Sequence, residues 1–97
     1  MYTIYDTIAS QTIKDLQVHK VFRTDAFELL SITLEKGSVF PEHTSPREAA
    51  LLVLEGSILF HIEGVPYRIS RQRMFHFRAK TPHWVEALED AKFLIIR

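Results

Sequence analysis

From residue 17 onward, hydrophobic and polar positions alternate along the chain. The alternation is clear in the segment 27–35, where Leu30, Ile32 and Leu34 share one face. A period of two is typical of strands that bury one side. The pattern predicts strands over the segments 17–23, 27–35, 49–54, 57–63, 66–70, 74–77, 83–88 and 91–96. Short strands, regular turns and hardly any helical period indicate an all-β sandwich or barrel.

Two segments depart from simple alternation. Residues 49–54 are apolar throughout, which predicts a strand buried on both faces. Residues 1–16 are mixed, with a short helical turn or an irregular arm expected over 10–16. We divide the chain into an arm with the first strand (1–27) and a barrel (28–97). The arm is more apolar than a free tail should be, and we expect it to contact a second subunit in a homodimer.

Composition narrows the range of functions. The chain has 97 residues, 46% of them hydrophobic, which suits one domain with a real core. Twelve acidic and twelve basic residues give zero formal charge, which argues against binding to nucleic acid or to a membrane surface. There is no cysteine, so a metal would be held by nitrogen and oxygen. With no secretory signal and no long apolar run, we expect a cytoplasmic protein.

Two histidines and one carboxylate lie beside turns in distant parts of the chain. His43 and Glu48 come just before the apolar segment 49–54, and His83 begins a later strand. Residues five apart on a straight strand face opposite sides, but Pro46 interrupts the ladder and allows His43 and Glu48 to share a site. Two imidazoles and one carboxylate resemble the facial triad of non-haem iron sites. Zinc, manganese or nickel would also suit this set of ligands.

The spacing of these residues resembles that of the cupins, a family of small jelly-roll β-barrels. The first cupin motif is a glycine, five residues, H-x-H, a glutamate, and then a strand that ends in glycine. Gly37, His43, Glu48 and Gly56 are in register with it. The second motif ends in a proline-histidine pair that enters a strand, as in the segment 81–87. The resemblance covers about residues 28–97 and implies a cupin-type jelly-roll barrel with a divalent metal (Fe, Mn, Ni or Zn) held by His43, Glu48 and His83.

This chain departs from the cupin pattern at two places. Ser45 stands where the family has the second histidine of H-x-H, so one of the usual four metal ligands is absent. In the second motif, Gln72, Arg73 and Arg78 replace the usual Gly-Asp and Pro. These are turn and edge positions, so we expect the barrel to tolerate the changes.

Further residues are candidates for ligand binding. Ser45 would orient a bound water, and Trp84 would either line a pocket or join the core. Arg78 belongs to a basic run over 68–80 and would bind a carboxylate or phosphate, unless the run is a solvated edge. His61 and His76 are either packed strand residues or replacements for the missing ligand. The alternative for Glu48 is an ion pair with one of three arginines: Arg47, Arg73 or Arg78.

Two functions fit the sequence. The first is a small cupin that holds a divalent metal, a small polar or anionic molecule, or both in the barrel mouth. Metal-assisted oxygenation, isomerisation and lyase chemistry would then all be open. The alternative is a metal-free barrel that binds or senses a small ligand without catalysis. Neither the fold nor the motifs choose a substrate, because function depends on the site.

Overall fold

The computed structural model describes all 97 residues. The elements are, in chain order, α1 (Thr7–Ser10), β1 (Leu16–Arg23), β2 (Glu28–Leu34), β3 (Val39–His43), β4 (Ala49–Glu55), β5 (Ser57–Ile62), β6 (Val65–Ser70), β7 (Met74–Phe77), β8 (His83–Ala87) and β9 (Ala91–Ile96). The strands form two antiparallel sheets, with orders β1-β2-β9-β4-β7 and β3-β8-β5-β6. The prediction of an all-β fold is confirmed. No helix is long and apolar enough to span a bilayer.

The core lies between the two sheets and contains sixteen buried hydrophobic residues, which both sheets supply. Leu30, Ile32 and Leu34 of β2 all point into it, as the alternation predicts. In β4, Leu51 and Val53 are fully buried, whereas the alternating residues Ala50, Leu52 and Leu54 are only half-buried. The prediction that this strand is buried on both faces is therefore wrong. Two packed sheets enclose only the sides that face each other, so the outer side of β4 keeps some exposure.

The strand β3 is absent from the sequence prediction, because Pro41 and Glu42 interrupt its hydrophobic pattern. The structure places β3 at the edge of the four-stranded sheet, where it pairs with β8 alone. A proline is tolerated on an edge strand, since its missing N–H costs no interior hydrogen bond. The pairing with β8 shifts register between Phe40 and His43. This irregularity changes the direction in which the histidine side chain points.

The arm packs on the outer side of the five-stranded sheet. Gln11 is buried there, and its Nε2 donates to the carbonyl oxygen of Ser31 at 3.0 Å. The Nζ of Lys92, also buried, donates to the carbonyl oxygen of Ile8 at 2.6 Å. These bonds hold residues 7–12 against their own sheet. By contrast, the apolar side chains before residue 6 are exposed.

Candidate functional site

His43 and His83 face each other inside the barrel. They are paired residues of β3 and β8, and their Nε2 atoms lie 3.1 Å apart. Phe40 and His43 are three residues apart and would face opposite sides of a regular strand. The register shift between them lets both rings line the same cavity, where they stack with centroids 4.1 Å apart.

The backbone determines which nitrogen of each imidazole carries hydrogen. The Nδ1 of His43 is 2.7 Å from the carbonyl oxygen of Pro41, and the Nδ1 of His83 is 2.8 Å from that of Thr81. A carbonyl oxygen only accepts, so both Nδ1 atoms are assigned as N–H donors. In the neutral rings both Nε2 atoms then carry lone pairs that point at each other. The contact is favourable only when a proton or another electrophile lies between them.

His83 is almost fully buried, and its ring is enclosed by aromatic side chains. It stacks on Phe60 with centroids 5.2 Å apart and meets the edge of Phe77 at 4.7 Å. Burial lowers the pKa of His83 below its ordinary value of 6.5, although the hydrogen bond to Thr81 acts in the opposite direction. The positive charge that His43 would carry lowers this pKa further. His83 therefore favours the neutral form.

The two histidines line a cavity of about 320 Å³ between the sheets. Ten of its fifteen lining residues are hydrophobic, so the cavity suits a mainly apolar molecule with a few polar contacts. The polar lining residues are His43, Thr44, Ser45, His83 and Arg97. No carboxylate lines the cavity. Proton transfer to or from a bound molecule would accordingly depend on the two imidazoles.

Glu48 does not join the two histidines. It precedes β4 directly, and Ala49 beside it points into the core, so strand alternation turns Glu48 outward. There its carboxylate lies 2.8 Å from the Nε2 of His76, and both side chains are largely exposed. The proline break thus does not reset the face as the sequence analysis expects. His76 contacts Glu48 on the outside of the barrel and does not replace the missing ligand.

The other predicted site residues are divided between the cavity and the surface. Ser45 lines the cavity, but its Oγ donates to the carbonyl oxygen of Arg47 at 2.6 Å. Arg78 is exposed and does not line the cavity. Trp84 also lies outside it and stacks on His61 with centroids 3.6 Å apart. His61 in turn contacts the carboxylate of Glu86 at 3.0 Å.

The donor atoms fit two positions on a metal ion. His43 and His83 offer converging Nε2 lone pairs, and their Nδ1 atoms are held by backbone carbonyls, as is usual for metal-binding histidines. No group of three or more histidine, aspartate or glutamate side chains is placed to hold an ion. The predicted triad of His43, Glu48 and His83 is therefore not assembled in this structure.

Two cavity residues were missed by the sequence analysis. Arg97 is the only cationic side chain in the cavity lining apart from the histidines, and Val18 lies at the rim with 45% exposure. Val18 lies on β1 and Arg97 directly follows β9, both outside the recognised motifs. The period-two pattern predicts these two strands, but no local signal shows which strand ends meet at the mouth.

Comparison with known proteins identifies the fold family. The cupin domain model matches residues 30–97. A search of curated proteins finds no match. An RmlC-like cupin from Desulfovibrio desulfuricans has a TM-score of 0.86 at 23% identity, and the alignment covers 99% of this chain and 95% of that chain.

Two further solved structures have the same fold. A conserved protein of unknown function from Streptococcus pyogenes has a TM-score of 0.83 at 20% identity, covering 99% of this chain and 86% of that chain. KdgF from Halomonas sp. has a TM-score of 0.76 at 24% identity, covering 89% of this chain and 81% of that chain. At such identities the likeness shows the fold alone. Together with the family model, which matches more than half of the chain, it confirms the jelly-roll prediction: the chain belongs to the cupin family.

Proposed function

We propose that this cupin binds a small, mainly apolar organic molecule between its sheets and recognises one polar group of that molecule through His43 and His83. The observation that carries this proposal is the cavity of about 320 Å³, in which a hydrophobic wall surrounds two facing imidazoles. Its size is at the lower end of ligand sites, which are roughly 300–1,000 Å³. The ligand would therefore be a small metabolite.

The histidine pair can bind either a donor or an acceptor. A neutral pair presents Nε2 lone pairs, which accept a hydrogen bond from a hydroxyl or amine. When one Nε2 is protonated, it donates to its partner or to an oxygen of the ligand. Neither role needs a catalytic step. The proposal therefore includes binding or sensing without turnover, and it assigns no reaction.

The cavity can be tested by filling its mouth. Val18 lies at the rim and is 45% exposed, so Val18→Trp should place an indole in the opening without disturbing the buried core. Val65 is 44% exposed on another strand and does not line the cavity, so Val65→Trp is a matched control. We expect fragments detected by ligand-observed NMR to bind the wild type and Val65→Trp but not Val18→Trp. Equal binding to all three proteins would contradict the proposal.

A divalent metal is the second candidate occupant, and the converging Nε2 atoms of His43 and His83 favour it. Both rings are already oriented by carbonyl oxygens, so little reorganisation would precede binding. The two imidazoles would hold the ion, with the remaining positions left to water or ligand. A bound ion would supply Lewis-acid polarisation of the ligand.

Elemental analysis separates the metal candidate from the metal-free one. We would measure iron, manganese, nickel and zinc in untagged protein after reconstitution, for the wild type, His43→Ala and His83→Ala. His76→Ala is the control, since this histidine is exposed and does not line the cavity. Metal near one equivalent that is lost in both cavity variants would support the metal site. Glu48→Gln tests the predicted third ligand: this variant should keep its metal, because Glu48 contacts His76 on the outside of the barrel.

A homodimer and a cytoplasmic location belong to the same proposal. The dimer is supported by the arm, where Tyr2 and Ile4 are almost fully exposed although both are hydrophobic. Residues 7–12 are bound to their own sheet, and the ring of Tyr5 lies 5.9 Å from that of Phe22 in β1, whereas the segment before Tyr5 exposes its apolar side chains. An extended apolar segment of this kind is well suited to pack on a second copy of the chain.

A further inference from the structure

A basic groove lies next to the mouth of the ligand cavity. It has a volume of about 400 Å³ and is formed by the β1–β2 hairpin, the β3–β4 loop and the end of β9. Its lining residues are Lys20, Arg23, Thr24, Asp25, Phe27, Glu28, Pro46, Arg47 and Arg97. Arg97 lines both this groove and the cavity. The β3–β4 loop also borders both, with Ser45 in the cavity and Pro46 in the groove.

The groove has an excess of positive charge. Four bases and two acids line it, so their formal sum is plus two. One acid, Glu28, neutralises part of this charge, since it contacts Nε of Arg97 at 3.2 Å and Nζ of Lys20 at 3.9 Å. Arg23 and Arg47 form no ion pair. Two guanidinium groups are thus available to an incoming anion.

The arginines are also partly held in place. Nη2 of Arg47 donates to the carbonyl oxygen of Ala26 at 3.1 Å, which ties the β3–β4 loop to the β1–β2 hairpin. Arg97 is held through Nε and its backbone, and its terminal nitrogens have no hydrogen-bond partner. A guanidinium that is already oriented loses less freedom when it binds an oxyanion.

We propose that the cavity ligand is an amphiphilic organic carboxylate, with its apolar body between the sheets and its carboxylate in the groove near Arg23, Arg47 and Arg97. This inference rests on the proposed cavity function and adds the chemical class of the ligand. The guanidinium group of arginine can form two parallel hydrogen bonds with either a carboxylate or a phosphate, so its geometry does not choose between them. Asp25 and Glu28 in the same groove would repel the second charge of a phosphate monoester, which favours the singly charged group.

The test compares acids with alcohols of the same apolar body. The probes are 3-phenylpropanoate with 3-phenylpropanol, and octanoate with octanol, titrated by isothermal calorimetry at low ionic strength. We expect each acid to bind the wild type about tenfold more tightly than its alcohol, the effect of two partly solvated arginine contacts. The difference should shrink as salt is added, because exposed charges are screened.

Two double variants locate the source of this preference. Arg23→Gln with Arg47→Gln should remove most of the difference in affinity between acid and alcohol. Arg71→Gln with Arg73→Gln removes the same charge from the exposed β6–β7 turn and should keep the preference. Arg23→Gln alone should act in the same direction as the first double variant. It is informative because the Arg23 side chain has no partner in the protein, so it tests the groove without loosening the loop.

The outcomes distinguish the groove from the cavity. Equal affinity of acids and alcohols for the wild type, or an equal loss of preference in both double variants, would overturn the carboxylate site and leave cavity binding intact. Acid binding that survives Val18→Trp would also overturn it, since the body would then not enter the barrel. If neither acids nor alcohols bind, the proposed cavity function fails and the inference that rests on it fails too.

Discussion

Gly56 connects the two sheets and gives a sharp test of the packing. It lies between β4 of one sheet and β5 of the other, with φ at +72°. A Cβ at this position would overlap with the carbonyl oxygen of Asp90 and would lie 3.0 Å from its carbonyl carbon and 3.1 Å from Cα of Ala91. All three atoms are backbone, so a rotamer change cannot relieve the contact. Gly56→Ala should force the β8–β9 turn away from the strand connection.

The size of the effect can be estimated from a matched glycine. Gly64 has φ at +76°, and a Cβ there would have no atom within 4 Å. Gly64→Ala should therefore lower the free energy of unfolding only by the cost of holding alanine in the left-handed conformation, about 1–2 kcal/mol. Gly56→Ala has the same conformational cost and must also move backbone, which adds about 1–3 kcal/mol. The difference between the variants isolates the contact with Asp90. Total stabilities are only about 5–15 kcal/mol, so the combined cost of about 2–5 kcal/mol should remove a large part of the stability.

Urea denaturation followed by tryptophan fluorescence and far-UV circular dichroism would measure both variants. The midpoint should fall for Gly64→Ala and fall about twice as far or more for Gly56→Ala, with an unchanged slope for each. In thermal scans the smaller loss corresponds to roughly 4–16 °C. Equal destabilisation would refute the close approach, because φ alone would then account for both glycines. A Gly56→Ala variant as stable as the wild type would refute both arguments.

Three more predictions concern the histidine pair and the arm. Burial lowers the pKa of His83, so the unfolded state binds more protons than the folded state below pH 6.5. The melting temperature should therefore fall as the pH decreases through this range. The fall should be smaller in His83→Phe than in a His76→Phe control. Deletion of residues 1–6 should convert a dimer to a monomer in light scattering, and a monomeric wild type at micromolar concentration would contradict this. Gln11→Ala leaves the carbonyl of Ser31 without its buried donor, which should cost about 1–3 kcal/mol and expose the arm to proteolysis.

The sequence predicts the candidate site in part. His43 and His83 stand out through their turn-borne motifs, and the structure brings their Nε2 atoms together. Glu48 is expected with them and instead faces outward, because the inward Ala49 beside it determines the face. Arg78 is the arginine nearest to His83 in sequence, yet the cationic side chain at the mouth is Arg97. Closeness along the chain is a poor guide to a mouth built from strands that are distant in sequence.

Eight of the nine strands, most of the turns, the buried face of β2 and the two histidines of the cavity can be predicted from the order of the amino acids. These depend on local features: a period of two, the positions of glycine and proline, and side chains that must leave water. Which side chains share the cavity depends instead on how the strands pair. The register shift before His43 turns its ring inward, and antiparallel pairing brings Arg97 beside Glu28, sixty-nine positions away in the chain. A one-residue change of register moves a side chain to the opposite face, so the site depends on pairings that no local pattern specifies.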